Sequence, residues 1–309
     1  MSLTVLDPGF HTLVVDGGRR RSRHLGVPLG GAADRGALAL ANGLVGNDAE
    51  AAALEITMLG PTLQAKHRTA CALFGSPFVL AVANKTRIMA GSAFLLEPGD
   101  AVKIGGSPSG ARAYFAVAGG FDLPTILESR SALESLTVNS TLMCKASFTP
   151  SRGLPFDALP VERIENAVRI RVLTGPQYDR FLKPKEFFSH DYEVSPVSNR
   201  MGLRLLGTSL ERRPGELASE AVAPGAVQVT NDGLPIVLGV DGQTIGGYPK
   251  IAHVIRTDLD LLGQLRPGDK VRFEKVTLED AEGAAGEREM FINEWATRLR
   301  VTNAAVMGS

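Results

Sequence analysis

Cysteine is scarce in this chain of 309 residues: Cys71 and Cys144 stand alone, without a CxxC spacing or a nearby histidine pair. That excludes a disulfide framework or a structural zinc site as the basis of the fold, and it suits a reducing compartment. No apolar run reaches the ~18 residues of a membrane-spanning helix. The N-terminus also lacks the basic flank and apolar stretch of a secretory leader, so a cytoplasmic protein is expected. Charge of one sign is missing too, because Lys plus Arg and Asp plus Glu both total 33. Without a long-range field to draw in a polyanion, nucleic acid is not an expected partner. The GxxxxGK[ST], HExxH, GxSxG and EF-hand signatures are absent, so no metal is predicted and any use of ATP would run through a non-Walker site. The glycine-rich stretch Gly105 to Gly110 follows one strand-like run and leads into another. With no helix start behind it, it reads as a hairpin turn and not as a phosphate loop.

What is present is a series of short β-rich runs punctuated by Gly and Pro. They are Leu54 to Met58, Ala70 to Phe74, Phe78 to Val82, Arg112 to Val117, Arg169 to Leu173, Ala226 to Val229, Pro235 to Gly239 and Val271 to Val276. The connections are too short and too poor in helical periodicity for regular βαβ units. The fold class is therefore mainly β, a closed or curled and largely antiparallel sheet with a few short helices. One helix should follow Asp34 as N-cap and stop at Gly46-Asn47; another should run from about Asp258 to before Pro267. The tail from Thr277 to Arg300 reads as a longer C-terminal helix anchored by Trp295.

The two halves repeat each other in order. Ser22 to Val27, Glu55 with Gly60, Pro77 to Leu80 and Glu97-Pro98-Gly99-Asp100 are echoed by Ser198 to Leu203, Glu220 with Gly225, Pro235 to Leu238 and Arg266-Pro267-Gly268-Asp269. This suggests duplication of one β unit, with domains 1–155 and 156–309 meeting in the Pro-rich stretch from Ser151 to Pro160.

The densest polar segments, Gln228 to Gly233 and Asp241 to Lys250, flank an apolar strand that would hold both loops in place. Gly246 and Gly247 would let backbone N–H groups approach an anion, and Lys250 would add a positive charge. Tyr248, preceding Pro249, is pushed toward an extended conformation and should project from a stiff loop. The same composition also suits two ordinary polar turns. Arg200 and Arg204, four apart, share a face if their segment is extended, which would suit a carboxylate or phosphate clamp. The basic cluster Arg19-Arg20-Arg21 with Arg23 and His24 reads as a solvated loop face.

On these residues the chain resembles the biotin-dependent carboxyltransferase or KipA family, which includes allophanate hydrolase subunit 2 and the C subunit of 5-oxoprolinase. Carrying the resemblance are Gly175-Pro176-Gln177, Ser198 to Arg204, Ser219-Glu220, the Gln228 to Gly233 loop and Asp241 to Lys250. The N-terminal half adds Asp16, Gly18-Arg19, Gly26-Val27-Pro28, Asp34, Ala116 to Asp122 and Ser129-Arg130-Ser131, so that roughly residues 4 to 280 are covered. The sequence departs from the family pattern at Val15, Arg20-Arg21, Gly30, Thr230 and the 134–155 loop. The resemblance implies a pair of cyclophilin-like β-barrel domains and a heteromer with a KipI-like partner of the B type. It also implies either ATP-dependent opening of 5-oxoproline to glutamate or carboxyl transfer from biotin to a urea-like amide. Any biotin would arrive on another chain.

The resulting expectation is an enzyme subunit that processes a small amide or lactam. Arg200 and Arg204 would fix a carboxylate or phosphate, and Lys250 with the Gly246 and Gly247 amides would stabilise developing negative charge. Asp232 or Asp241 would handle a proton, while Gln228, Asn231, Gln243 and Tyr248 complete the substrate site. Asp16, Arg19, His24 and Asp34 form a candidate second site. The alternative is a non-catalytic regulator that antagonises a kinase-inhibitor protein.

Overall fold

The computed structural model describes residues 2–82, 87–144, 153–154, 163–164, 166–215 and 217–307. The expected boundary between residues 155 and 156 falls outside them. The chain divides into two compact units, each discontinuous. One comprises Met1–Gly18, Asp34–Leu159 and Glu289–Ser309; the other comprises Arg19–Ala33 and Pro160–Arg288. These units depart from a single cut in two places, at the 19–33 segment and within the C-terminal helix. The 19–33 segment groups with the second unit through Gly30, whose N–H donates to Val240 O at 2.9 Å, and Gly31, whose carbonyl accepts from Arg200 Nη2 at 2.7 Å.

In the first unit the strands are β1 (Ser2–Asp7), β2 (His11–Val15), β3 (Ala53–Thr57), β4 (Thr62–Ala65), β5 (Thr69–Gly75) and β6 (Val79–Val82), then β7 (Arg87–Met89), β8 (Ser92–Leu96), β9 (Ala101–Ile104), β10 (Arg112–Val117) and β11 (Thr141–Met143). They form one sheet in the order β11-β1-β4-β9-β6-β7 and another in the order β2-β3-β10-β5-β8. Both sheets contribute to one core, in which Leu3, Leu63, Leu80 and Val102 meet Leu54, Leu73, Phe115 and Val117. Because β9 and β10 belong to different sheets, the 105–110 stretch is a crossover between sheets; the hairpin expected there is not formed. Helix α1 (Arg35–Leu44) begins where Asp34 Oδ1 accepts the Ala37 N–H at 2.8 Å, as the N-cap pattern predicts.

Strands of the second unit are β12 (Arg163–Ile164), β13 (Ala167–Thr174), β14 (Tyr192–Val194), β15 (Gly202–Leu206), β16 (Glu220–Ala221), β17 (Ala226–Val229), β18 (Pro235–Leu238), β19 (Ile245–Gly246), β20 (Lys250–Val254) and β21 (Lys270–Lys275). Its helices are the short α2 (Glu186–Ser189) and α3 (Leu259–Gln264). The order β13-β20-β17-β18-β15-β14-β21 returns to β13, so these strands close into a barrel. The closing β13–β21 pair is parallel and the other pairs of the ring are antiparallel. Closure leaves no free edge in the ring, and Phe187 stacked on Phe273 at 4.4 Å between centroids fills the core beside Tyr192. The two-stranded β16–β19 ladder stands apart from the ring.

The duplicated Pro-Gly-Asp turns have one geometry. In each, the Asp N–H donates to the carbonyl three residues back at 3.0 Å, and the Asp carboxylate accepts the N–H of that same residue: Asp100 with Glu97 at 3.0 Å, Asp269 with Arg266 at 2.8 Å. Gly99 and Gly268 sit at φ 90° and 87°, the left-handed position that a type II turn needs after its proline. Helix α4 (Leu278–Met307) starts with a reciprocal cap between Thr277 and Asp280 at 3.0 and 3.1 Å. Its buried anchor is Leu299, seated on Gly43, where a Cβ would lie 3.1 Å from Leu299 Cδ1. Trp295 is half-buried and is capped by Arg298 at 5.2 Å.

Candidate functional site

All of the principal site residues lie in the second unit, and the structure sorts them into two groups. The first gathers around the start of β20. Lys250 is 7% exposed, and its ammonium pairs with the carboxylate of Glu220. Gln177 ties the pair together: its Oε1 accepts the Lys250 N–H at 3.0 Å and its Nε2 donates to Glu220 Oε1 at 2.7 Å. This explains the Gly175-Pro176-Gln177 run. Gly175 lies so close to β20 that a Cβ would stand 2.2 Å from Lys250 O, and only glycine permits that approach. Glu220 is half-exposed, and the hydrogen bonds from Lys250 and Gln177, with the Lys250 charge, hold it below the usual glutamate range.

Two glutamine amides converge next to this pair. A Cβ on Gly246 would come within 2.6 Å of Gln228 Nε2 and 2.8 Å of Gln243 Nε2. Gln228 is 2% exposed and also donates to Tyr248 O at 3.5 Å. The role of Gly246 and Gly247 therefore differs from the one expected. Neither has a positive φ, which a backbone anion nest requires, and Gly246 pairs with Glu220 across β16–β19. What they supply is room for side chains. A cleft of about 310 Å³ opens beside the group, lined by Arg212, Gly215, Leu217, Asn231, Gln243, Gly247 and Tyr248.

Arg200 and Asp241 belong to the second group. They form a bidentate ion pair, Nε to Oδ2 at 2.6 Å and Nη2 to Oδ1 at 3.1 Å, and the Arg200 side chain is only 9% exposed. Arg200 is not on a strand face with Arg204. Asn199 Oδ1 accepts the Met201 N–H at 2.9 Å and folds residues 199–202 into a turn, so that Arg200 points inward while Arg204 sits exposed on β15. The clamp expected of these two arginines is not formed. Asp241 is the counter-ion of Arg200, and together with its N–H, which donates to Arg200 O at 3.1 Å, it fastens the 239–242 loop to the 199–202 turn. Asp232 is exposed and closes its own turn, accepting from the Thr230 hydroxyl and from Leu234 N–H at 3.3 Å. Those bonds hold it below the usual aspartate range.

The four residues of the candidate second site are distributed over both units. Asp16 accepts from Ser129 Oγ at 2.6 Å, Ser131 Oγ at 2.7 Å, Arg130 N at 2.5 Å and Gly18 N at 2.9 Å. Burial alone would raise its pKa, but these four donors outweigh it and the net shift is downward. Asp34 caps α1 and, through its N–H, donates to Tyr114 Oη at 2.8 Å. Arg19 is buried, whereas His24 is exposed. Asp16 and Asp34 thus serve as fasteners of loop and helix. Gln177, Glu220 and Arg212 join the site without having been singled out for it. Gln177 and Glu220 stood in recognisable motifs, but nothing local marks their convergence on Lys250. Among the described residues, no cluster of three or more His, Cys, Asp or Glu suits a metal ion.

A mainly β chain with a closed barrel and an amide-lined cleft is consistent with a carboxyltransferase-type domain, and the comparison with known families agrees. The chain belongs to the family of the carboxyltransferase domain, subdomain A and B, whose model matches residues 25–275. It is 34% identical to the C subunit of 5-oxoprolinase from Escherichia coli (strain K12), over 97% of this chain and 100% of that protein. Among solved structures it is similar to TTHA0988, with a TM-score of 0.79 and 35% identity over 88% of this chain, and it spans 55% of that longer protein. It is also similar to the urea amidolyase of K. lactis, with a TM-score of 0.87 and 28% identity over 95% of this chain, but it spans only 20% of that protein.

Proposed function

We propose that the chain is the C subunit of an ATP-dependent 5-oxoprolinase, working with a KipI-like partner of the B type. One observation carries the reading: a buried lysine, paired among the described residues to an exposed carboxylate and held by Gln177, stands beside a cleft lined with amide and phenol groups. The end-to-end similarity to the Escherichia coli 5-oxoprolinase chain supports it. A lactam is a planar donor–acceptor pair. Its N–H would donate to Glu220, and its carbonyl would accept from Gln243 or Tyr248. Lys250 would stabilise the negative charge that develops when the amide bond is opened, a role fixed donors fill well in a partly desolvated site. ATP would enter through a non-Walker site on the assembled complex, and the compartment would be the cytoplasm.

Carboxyl transfer is the second reading, favoured by the family's description and by the urea amidolyase neighbour. Biotin would then come from another chain. Co-expression with the B-type partner, followed by assay of ATP-dependent glutamate release from 5-oxoproline, decides between the two. Glutamate release supports lactam opening. Its absence, together with carboxylation of urea when a biotin carboxylase and carrier are added, overturns it.

A further inference from the structure

We propose that Arg23 is a positioning residue for the Glu220 carboxylate, acting from outside the cleft through the β16–β19 ladder that carries it. The proposal deepens the lactam reading and rests on its assignment of the lactam N–H to Glu220. The ladder holds two residue pairs, Glu220 with Gly246 and Ala221 with Ile245, and Val222 extends it by donating its N–H to Thr244 O at 3.0 Å. So short a ribbon, standing apart from the ring, is marginal by itself. Its end contacts therefore decide where Glu220 sits. The cleft end is held by Lys250 and Gln177. At the far end Arg23 Nη2 donates to Val222 O, and the Val222 side chain, 5% exposed, packs with Ala226 and Leu238.

Two features separate this contact from an ordinary surface bond. The other terminal nitrogen of Arg23, Nη1, is buried and meets no acceptor among the described residues. A buried donor without a partner opposes folding, so the placement of this side chain is not explained by stability alone. The bond it does make is charge-assisted and stronger than one between neutral groups. Secondly, Arg23 belongs to a segment that is also bonded to the other approach to the site. Gly30 N–H donates to Val240 O at 2.9 Å, and Gly31 O accepts from Arg200 Nη2 at 2.7 Å, while Arg200 grips Asp241, two residues before Gln243. The segment is closed on itself: Arg19 N–H donates to Leu29 O at 2.6 Å, Leu25 N–H to Ser22 O at 3.0 Å and Gly26 N–H to Arg23 O at 3.0 Å. It thus holds the two stretches that feed the site, 220–222 and 240–243, in a fixed relation. Arg23 touches no reacting group in this scheme. Without its bond the far end of the ladder is released, and a shift of about 1 Å in Glu220 is enough to slow turnover by about 100-fold.

Steady-state glutamate release and amide hydrogen exchange, both on the full chain in complex with its B-type partner, test the assignment. Arg23→Met, which keeps an unbranched stem without donors, should lower kcat about tenfold to hundredfold and change KM for 5-oxoproline by less than about threefold. Arg23→Lys, which keeps a charged donor, should recover most of the loss. Added to Glu220→Ala, Arg23→Met should lower kcat by no more than about a further twofold, because it acts through a carboxylate already removed. Without substrate, the amides of residues 220–222 and 244–246 should exchange about tenfold faster in Arg23→Met, with those of β13 and β21 unchanged. Losses that multiply in the double variant, unaltered exchange in the ladder, or exchange raised equally in the ring would each overturn the proposal. The lactam reading fails separately, through absent glutamate release by the wild type. In that event the exchange result still decides whether Arg23 holds the ladder: a tenfold change confined to it supports the mechanical half of the proposal, and no change overturns it.

Discussion

Lys250→Met separates a chemical role from a structural one. Methionine keeps most of the unbranched stem that β20 buries and removes only the ammonium, so the core loses little volume. The pair it breaks is lopsided, with Lys250 9% exposed at its side chain and Glu220 49% exposed. A carboxylate in open contact with water does not require its partner for solvation, and exposed pairs contribute little to stability. The melting temperature should therefore move by no more than about 3 °C, given the size of the unit. A positioned electrostatic donor at a developing negative charge is typically worth about 10²–10³ in turnover. In the assembled complex kcat should accordingly fall about 100-fold or more, with KM for 5-oxoproline changed far less, because the interaction tightens only in the transition state. Thermal unfolding of the purified variant and steady-state glutamate release from the same preparation give both numbers. If activity falls only in proportion to the folded fraction, or if KM alone rises, the charge-stabilising role assigned to Lys250 is wrong.

Other perturbations should show the opposite balance or none. Asp241→Ala strips the counter-ion from the buried Arg200 and should cost about 2 kcal/mol of stability, less than the 3–5 of a fully buried pair because Asp241 is itself 36% exposed. Chemical denaturation measures it, and no loss would contradict the structural role given to this pair. Gly175→Ala places a methyl group 2.2 Å from Lys250 O and should destabilise by about 3 kcal/mol while also lowering kcat, since β20 and Gln177 must separate; a fully active variant would refute the close approach. Asp16 has a folded pKa below its unfolded one, so its stabilising contribution is present above the ordinary aspartate pKa and is lost as the pH falls through the lowered value. Asp16→Asn should make the acid limb of a stability–pH curve shallower, and an unchanged limb would remove Asp16 from the account.

The eight strands and three helices named from composition form close to their expected positions because each rests on local signals, whereas β1, β2, β8 and β20 were not read as strands. Arg112 to Val117 and Ala226 to Val229 are strands with the bounds read from their composition, and Asp34 caps the helix it announces. The repeated Pro-Gly-Asp turn was legible for the same reason: its geometry is set by three consecutive residues. Long-range choices were not. Nothing near Arg200 says that it will meet Asp241, 41 positions later, and once Asn199 folds the chain into a turn the two arginines part company. Gly246 and Gly247 looked like a backbone nest, yet they make space for Gln228, Gln243 and Ser219, contacts that only the folded ladder creates. Similarly, closure of the barrel in the second unit depends on the parallel β13–β21 pair, between segments about a hundred residues apart, and a strand's own sequence carries little information about so distant a neighbour.

The most direct test of the whole account is a crystal structure of the complex with 5-oxoprolinate bound. Ring density in the cleft formed by Gln243, Gly247 and Tyr248, with the lactam facing Glu220, is the predicted result. A ring bound in the first unit, or away from the Lys250–Glu220 pair, would contradict it.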